Sequence, residues 1–393
     1  MSLARTISEQ LQRASWIRRM FEEGARLIAE RGRENVCDFT LGNPDVEPPE
    51  EVIGALRRHA AASPPHSHGY MPNAGFPEVR EAVARHLRQI TALPFAMEDV
   101  IMTVGSAGAT NVFLKAILDP GDEVIVLMPC FSEYPFYVQN HAGKVVQVET
   151  DENFLPDTGR IARAITPQTK AIILNSPNNP TGRVYPAEIL KQLDELINSL
   201  DHPVTVISDE PYKPIVFDGI TPPEPASIIR RCVVANSWSK AYAIPGERIG
   251  YLAISPRLPE RKELQNACTF TNRILGFINA PAIWQRVIAE TLDVKIDISG
   301  YQEKRDLMYG ALTRIGYKLI KPEGTFYLFS QTPIADDIAF VRMLQAEGIL
   351  GVPGTGFGRP GFLRLSLTVP RETIERALPA FQRVFEKCAN LNK

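Results

Sequence analysis

A lysine, two serines and an arginine stand close together in the second half of the chain. Lys240 follows the apolar run 232–235. Ser237 and Ser239 precede the lysine, and Arg248 follows it eight residues later. A lysine amine can condense with an aldehyde, and a site at the end of a predicted strand suits a carbonyl cofactor. The hydroxyls and the guanidinium can bind phosphate oxygens beside it. An aldehyde and a phosphate together predict pyridoxal 5'-phosphate (PLP); the alternative is a surface lysine with an unrelated arginine.

The segment between about residues 100 and 255 predicts the elements that would position these side chains. Short apolar runs alternate there with helix-compatible segments such as 109–118 and 186–199. Continuous apolar runs are typical of strands buried on both faces of a parallel sheet. The pattern therefore predicts a large, doubly wound, mostly parallel α/β domain. The predicted strands are 101–104, 124–128, 145–148, 171–174, 204–207, 232–235 and 249–254.

The pattern changes after about residue 282, where a smaller α+β domain is predicted. Its expected strands are 318–320, 326–329 and 362–367, with helices near 334–347 and 371–387. We expect residues 46–281 to form the large domain, and residues 1–45 with 282–393 to form the small one. An amphipathic helix is expected near the N-terminus, packed on the C-terminal domain or on a neighbouring subunit. Its apolar positions are Trp16, Ile17, Met20, Phe21, Ala25 and Ile28.

Composition and charge exclude several classes of protein. The 43 basic and 45 acidic residues leave a net charge of −2, which predicts no strong attraction to nucleic acid or to an anionic membrane. The five cysteines form no C-x-x-C pair, which argues against disulfides and structural zinc and favours the cytoplasm. No run is long enough for a membrane span. No H-E-x-x-H, Walker lysine or dinucleotide fingerprint is present, so we predict neither a metal site nor nucleotide binding.

The segment around Lys240 resembles the cofactor-lysine motif of the class I/II aminotransferases, PLP-dependent enzymes of fold type I. The family motif is Ser-x-Ser-Lys followed by Gly-x-Arg-x-Gly, which matches residues 237–240 and 246–250. Asp209 and Tyr212 match the family's Asp-x-x-Tyr. The resemblance implies that Lys240 is the Schiff-base lysine and proton shuttle. It implies further that Asp209 keeps the pyridine nitrogen protonated and that Tyr212 reaches the 3-oxygen of the ring.

Three more strand ends carry residues that match family positions. The string Asn-Ser-Pro-Asn-Asn-Pro-Thr-Gly at 175–182 is close to the family's Asn-Pro-x-Asn-Pro-Thr-Gly, and Asn179 would contact the 3-oxygen and the substrate. Ser106 and Ala107 match the phosphate cup, where a helix N-terminus favours an anion. Phe131 corresponds to the aromatic residue that stacks on the pyridine ring, although a core phenylalanine would have the same sequence pattern.

The resemblance also implies residues for substrate binding and for a homodimer. Tyr70 matches a tyrosine that reaches the phosphate in the neighbouring subunit. Arg364, which alternates with leucines in the run 362–367, matches the arginine that binds the substrate α-carboxylate. Gly42 matches an N-terminal position that closes over the substrate. Arg273 lies where some aspartate aminotransferases bind a distal carboxylate, although its spacing from the lysine differs by one residue, so an acidic substrate is a hypothesis.

The function implied is a PLP-dependent aminotransferase that moves an amino group between an L-amino acid and a 2-oxo acid by a ping-pong mechanism. Relatives with the same residues include carbon–sulfur β-lyases and other enzymes of α-carbanion chemistry, and these remain alternatives. A PLP-binding transcription regulator would need a winged helix upstream, and the forty residues before Leu41 are too few to hold one.

Overall fold

The computed structural model of the chain describes residues 3–13, 23–24 and 26–391. Its strands are β1 (Cys37–Asp38), β2 (Val100–Thr103), β3 (Glu123–Met128), β4 (Lys144–Glu149), β5 (Thr169–Asn175), β6 (Thr205–Asp209), β7 (Cys232–Ser237), β8 (Gly250–Ile254), β9 (Tyr327–Gln331), β10 (Ile349–Leu350), β11 (Val352–Pro353) and β12 (Phe362–Ser366). The α-helices are α1 (Arg5–Arg13), α2 (Glu50–Ala62), α3 (Pro77–Thr91), α4 (Gly105–Ile117), α5 (Tyr134–Asn140), α6 (Thr158–Ala164), α7 (Ala187–Asn198), α8 (Pro225–Ile228), α9 (Arg261–Ile274), α10 (Ala282–Thr291), α11 (Ser299–Ile315), α12 (Asp337–Ala346) and α13 (Arg371–Leu391).

The large sheet has the strand order β2-β8-β7-β6-β5-β3-β4. Strands β3 to β7 run parallel to one another, and β8 is antiparallel to both β2 and β7. Both faces are buried, as the apolar runs predict. On β5, Ile172 and Leu174 pack with α2, α3 and α7 on one face, whereas Ala171 and Ile173 pack with α4 and α9 on the other. The predicted doubly wound, mostly parallel sheet is confirmed.

A smaller antiparallel sheet, in the order β11-β12-β9, forms in the C-terminal part of the chain. Leu363, Leu365 and Leu367 enter a hydrophobic cluster with α11, α12 and α13, and this confirms the alternation predicted for the run 362–367. The predicted strand at 318–320 is wrong, because in this region only Leu319 forms an isolated bridge, to Ser330. The run is short and ends close to Pro322, which cannot donate a backbone hydrogen bond to a ladder.

Most of the predicted N-terminal amphipathic helix lies outside the described residues, namely its positions Trp16, Ile17, Met20, Phe21 and Ala25. Helix α1 precedes these positions, and residues 26–31 are helical after them. Leu27 and Ile28 pack with Val36 and Leu350. This end of the described chain therefore contacts β10, which also pairs with β1.

The proposed division of the chain at residues 45/46 and 281/282 stays a prediction. Helix α10 begins at the second boundary, and its Trp284, Val287 and Ile288 are buried in the same cluster as α2 and α3 of the large sheet. Ile296 is the first residue that packs against both this cluster and that of the small sheet. The packing of α10 favours a boundary near Ile296.

The parallel strands bring their carboxyl ends to one edge of the large sheet. Residues just after β3, β5, β6 and β7 are thereby neighbours in space although they are far apart in the sequence. Helix α4 begins there too, one residue after Val104. In an open α/β sheet this edge is the usual position of a ligand site.

Candidate active site

A cavity with a volume of about 230 Å³ opens at the carboxyl edge of the large sheet. It lies between the ends of β5, β6 and β7 and the beginning of α4. The fold brings together in its wall ten of the eleven residues predicted to hold a cofactor, all except Tyr70. These are Ser106, Ala107, Phe131, Asn179, Asp209, Tyr212, Ser237, Ser239, Lys240 and Arg248.

Lys240 stands in the turn after β7, with its amine at the cavity. The Nζ donates a hydrogen bond to the carbonyl oxygen of Gly42 at 2.8 Å. Burial, followed by the positive charges of Arg248 and Arg364, lowers the pKa of Lys240 to about 8. An amine with this pKa is partly uncharged near neutral pH, and the uncharged amine is the form that attacks a carbonyl carbon.

The N-terminus of α4 and the guanidinium of Arg248 converge on one end of the cavity. Ser106 and Ala107 occupy the first turn of α4, where backbone N–H groups have no acceptor within the helix. Arg248 donates from Nη1 to the Pro245 carbonyl at 2.9 Å and from Nη2 to the Val104 carbonyl at 3.1 Å, which fixes it against the helix start. Gly105 has φ +78°, and a Cβ there would lie 2.8 Å from Arg248 Nη2. This end of the cavity suits a phosphate.

Asp209 lies at the end of β6 and is buried. Its Oδ2 accepts a hydrogen bond from the Tyr134 hydroxyl at 2.5 Å, and its backbone carbonyl accepts one from Asn175 Nδ2 at 3.0 Å. Oδ1 forms no hydrogen bond of ordinary geometry within the described part of the chain. Burial raises the pKa of Asp209 to about 6, and the hydroxyls of Tyr134 and Ser106 oppose that rise. Oδ1 could accept a hydrogen bond from a protonated ring nitrogen.

Asn179 and Tyr212 lie on the loops that follow β5 and β6. The backbone N–H of Asn179 donates to Asn175 Oδ1 at 2.8 Å, so one asparagine side chain links the ends of both strands. The hydroxyl oxygens of Tyr212 and Tyr327 are 3.3 Å apart. Burial raises the pKa of Tyr212 well above its ordinary value, which keeps the phenol protonated and able to donate.

Arg364 is a buried cation, with 7% of its surface exposed. Its Nη1 donates to Asn179 Oδ1 at 3.2 Å and its Nη2 to the Thr40 carbonyl at 2.7 Å, whereas Nε has no hydrogen-bond partner in the part of the chain that the structure describes. The guanidinium lies over the rings of Tyr327 and Phe357, 4.3 and 4.6 Å from their centroids. No carboxylate of the described residues pairs with it. An anionic ligand would supply the missing countercharge.

Gly42 connects the N-terminal segment to the cavity through the hydrogen bond from Lys240. A Cβ at this position would overlap the Tyr327 hydroxyl, so only glycine fits against this tyrosine without a shift. The segment is held further by Ser366, whose backbone N–H donates to the Phe39 carbonyl at 2.8 Å. The carbonyls of Thr40 and Gly42 thereby accept hydrogen bonds from Arg364 and Lys240.

Four predicted residues do not line the cavity. Gly42 and Arg364 are hydrogen-bonded to its residues Lys240 and Asn179, whereas Tyr70 and Arg273 lie apart from it. Tyr70 is 89% exposed. Arg273 is exposed in the last turn of α9, where its guanidinium lies 5.3 Å from the ring centroid of Phe270. The roles expected of these two side chains stay predictions.

The cavity wall also contains residues that the sequence analysis did not assign. These are Tyr134, Tyr137, Asn175, Pro211 and Pro245. Asn175 and Pro211 adjoin the ends of β5 and β6. They could have been predicted from the rule that a ligand site lies at the carboxyl ends of the strands in an open α/β sheet. Tyr134 and Tyr137 lie on α5 beyond a turn. Only their spacing of three and six residues from Phe131 could have suggested that they line the cavity.

The residues present fit PLP. Asp209 has a buried oxygen without a hydrogen-bond partner among the described residues, Lys240 has an amine of lowered pKa, and Arg248 stands at a helix N-terminus suited to phosphate. These are the acceptor, the nucleophile and the donors that a protonated pyridine nitrogen, an aldehyde and a phosphate ester respectively require. Beyond the ring, the unpaired Arg364 suits a carboxylate.

Comparison with known proteins agrees with this site. The family model for aminotransferase class I and II matches residues 34–381. The aspartate/prephenate aminotransferase of Thermus thermophilus is 38% identical over 88% of this chain and 90% of its own, and the aspartate aminotransferase of Thermotoga maritima is 32% identical over 92% and 93%. An aminotransferase structure from Eubacterium rectale superposes with a TM-score of 0.94, at 35% identity, over 98% of this chain and 99% of its own. The aspartate aminotransferase of T. thermophilus with maleate gives 0.84, at 36% identity, over 93% and 96%. The predicted resemblance and fold type I are confirmed.

The first prediction concerns the charge state of Lys240. In the cofactor-free protein, we expect acylation of Lys240 to follow a pH profile with its midpoint near 8, against about 10.4 for ordinary lysines. Arg364→Gln should move the midpoint to higher pH because one positive charge that disfavours the ammonium form is lost. Acylation is followed by peptide mass spectrometry. Arg371→Gln, at the exposed start of α13, is the matched control, and a wild-type midpoint equal to that of exposed lysines would contradict the prediction.

Proposed function

This chain belongs to the class I and II aminotransferase family, and from that premise we propose that it holds PLP in the Lys240 cavity. The protein is an aminotransferase, and it moves an amino group between an L-amino acid and a 2-oxo acid in a ping-pong reaction. None of the relatives named above is a lyase, and nothing in the site favours that alternative. The observation that carries the proposal is the meeting, in one cavity, of the Lys240 amine, the free Asp209 oxygen and the Arg248 phosphate end.

Bound PLP would supply an electron sink for the charge that develops on the substrate α-carbon. Asp209 would hold a proton on the ring nitrogen through Oδ1. Asn179 and Tyr212 would donate to the 3-oxygen, Phe131 would stack on the ring, and the phosphate would be held by the groups at its end of the cavity. These are Ser106, Ala107, Ser237, Ser239 and Arg248.

Lys240 is the group proposed to move the proton. Its Nζ would take the proton from the substrate α-carbon and return it on the cofactor side, a role that needs an amine able to exist in both charge states near neutral pH. The pKa of about 8 supports this role. Burial is the largest cause of the lowering, and the Gly42 carbonyl is the group that contacts the amine.

Arg364 is proposed to bind the substrate α-carboxylate. It is buried, has no countercharge among the described residues, and has its guanidinium between two aromatic rings. Asn179 bonds its Nη1 and would orient it, and Gly42 would let the N-terminal segment close over the bound substrate.

An acidic substrate is proposed from Arg273 and from the relatives. Both curated relatives named above are aspartate aminotransferases, and maleate, in one solved structure, is a dicarboxylate. The cations that line this chain's own cavity are Lys240 and Arg248, both assigned to the cofactor. A cation for a distal carboxylate must therefore come from outside the cavity, and Arg273 of a second subunit is our candidate.

A homodimer is proposed from an exposed apolar patch around Tyr70. The patch consists of Tyr70, Phe270, Ile274 and Ile278, which are 89%, 52%, 48% and 36% exposed. Its two segments are bound together, because Asn272 Nδ2 donates to the Asn73 carbonyl at 3.0 Å and Asn279 Nδ2 to the Pro72 carbonyl at 2.9 Å. Exposed apolar side chains that form one surface mark interaction sites. Arg273 lies on the same surface, so both Tyr70 and Arg273 would enter the active site of the partner subunit.

We also propose that the enzyme works in the cytoplasm. All five cysteines are buried and unpaired, as expected in a reducing compartment. Among the described residues, no helix combines the length and the hydropathy that a membrane crossing needs.

Absorption spectroscopy tests the function. We expect the purified protein with PLP to show a visible cofactor band that is lost on addition of its amino acid and restored by a 2-oxo acid. The panel is aspartate, glutamate, alanine and phenylalanine, and Lys240→Ala, which lacks the amine that binds the aldehyde, should lack the band. A band that no amino acid converts would contradict transamination, whereas no band in the wild type would contradict the cofactor site.

The role of Arg273 is tested by steady-state kinetics. Arg273→Ala should raise KM for aspartate and glutamate by about 10- to 100-fold, the value of one charge-assisted hydrogen-bonded contact, and leave KM for alanine unchanged. Lys262→Ala removes a positive charge from the exposed start of the same helix and serves as the control. An equal effect on alanine would refute an acidic-substrate role.

The dimer is tested by placing a charge on the patch. Ile274→Asp should weaken self-association by at least about 100-fold because it exchanges apolar burial for a desolvated carboxylate. Sedimentation velocity over a range of protein concentrations measures this. Ile90→Asp alters a similarly exposed isoleucine on α3 and should leave the dimer intact. A wild type that is monomeric at all concentrations would sink the proposal.

A further inference from the structure

Tyr134 is a buried phenol in the first turn of α5 that holds one oxygen of Asp209. It is 2% exposed, and its hydroxyl donates to Oδ2 at 2.5 Å. A buried hydroxyl needs a partner, and here the acceptor is a carboxylate at the end of a strand rather than a backbone carbonyl. The contact joins α5 to the end of β6, and both residues line the cavity.

The contact leaves the two oxygens of Asp209 in different environments. Oδ2 accepts the hydrogen bond from Tyr134, while Oδ1 is buried and has no hydrogen bond of ordinary geometry among the described side chains. Asp209 itself lines the cavity. The Asp209 backbone is fixed separately by Asn175. With the main chain and one oxygen both held, rotation of the carboxyl group is restricted.

We propose that Tyr134 is a positioning residue for Asp209. The Tyr134 hydroxyl fixes Asp209 Oδ2, so that Oδ1 binds the protonated pyridine nitrogen of the cofactor. The inference rests on the proposed function. A donor to the charged form of a carboxyl group stabilises that form. Tyr134 therefore favours the arrangement in which the proton stays on the ring nitrogen and Asp209 stays ionised.

The ring of Tyr134 has a separate packing role that the test can hold constant. It meets Phe131 edge to face, with centroids 5.5 Å apart at 84°, and Tyr137 with centroids 6.4 Å apart at 67°. Phe131 is the residue proposed to stack on the cofactor. Tyr134→Phe keeps these ring contacts and removes only the hydroxyl.

The experiment uses holoenzyme reconstituted with PLP labelled with ¹⁵N in the ring. In Tyr134→Phe, we expect the nitrogen NMR signal to move from the protonated toward the unprotonated position. We also expect kcat to fall by about 10- to 100-fold, with KM changed by less than about threefold. Tyr317→Phe is the matched control, because its buried hydroxyl bonds the Phe381 carbonyl outside the site. This variant should leave the nitrogen signal and kcat unchanged.

The outcomes separate the inference from the function on which it rests. A wild-type protein that binds no PLP would refute the proposed function. A wild type that binds PLP, together with a Tyr134→Phe variant that keeps the protonated signal, would overturn the positioning role even if kcat fell. If the Phe variant does not retain cofactor, Tyr134→His, which keeps a ring donor, is measured in the same way. Partial recovery of the protonated signal supports the role, and its absence overturns it.

Discussion

Three ionisable side chains around one edge of the large sheet are buried without a countercharge among the described residues. The site depends on this burial of unpaired ionisable groups. Within the described part of the chain, Lys240, Asp209 and Arg364 form no ion pair with any side chain. Each pKa is displaced toward the neutral form, downward for the two cations and upward for the carboxyl, with burial as the largest cause. Burying unpaired charge costs several kcal/mol per group. A ligand that brings a carboxylate and a protonated nitrogen reverses that cost, so binding and stability are linked.

The rest of the fold keeps these groups from relaxing toward solvent. Parallel strands with both faces buried fix the backbone at their carboxyl ends, and the Asn175 side chain then ties β5 to the Asp209 carbonyl and to the Asn179 N–H. On the far side of the cavity, α5 supplies the hydroxyl that holds Asp209. Rigid support of this kind is what allows a carboxyl group with a pKa of about 6 to keep one oxygen free.

The sequence predicted the sheet and most of the cavity, and the misses share a physical cause. Strand-end residues such as Asp209 could be placed because parallel strands end at one edge. The contact between Tyr134 and Asp209 joins positions 75 apart, on a helix and a strand, and no local pattern reports it. Alternation on β12 predicted the face of Arg364 but not its burial between aromatic rings, because those rings come from distant segments. Arg273 and Tyr70 were assigned from the family resemblance alone, and within the described chain both are exposed and lie outside the cavity wall.

One short segment connects the two halves of the site. The Thr40 carbonyl accepts a hydrogen bond from Arg364, and the Gly42 carbonyl accepts one from Lys240. Two neighbouring neutral carbonyls thus compensate, in part, the two cations that a substrate and a cofactor would use. A carbonyl is a weaker partner for a cation than a carboxylate, so an anionic ligand can replace it at Arg364. At Lys240 no anion would replace the carbonyl. Once the amine is bonded to an aldehyde carbon, it no longer needs the Gly42 carbonyl as a hydrogen-bond acceptor. The segment 40–42 is therefore held by hydrogen bonds from Arg364 and Lys240, and these hydrogen bonds must break when the two side chains take part in the reaction.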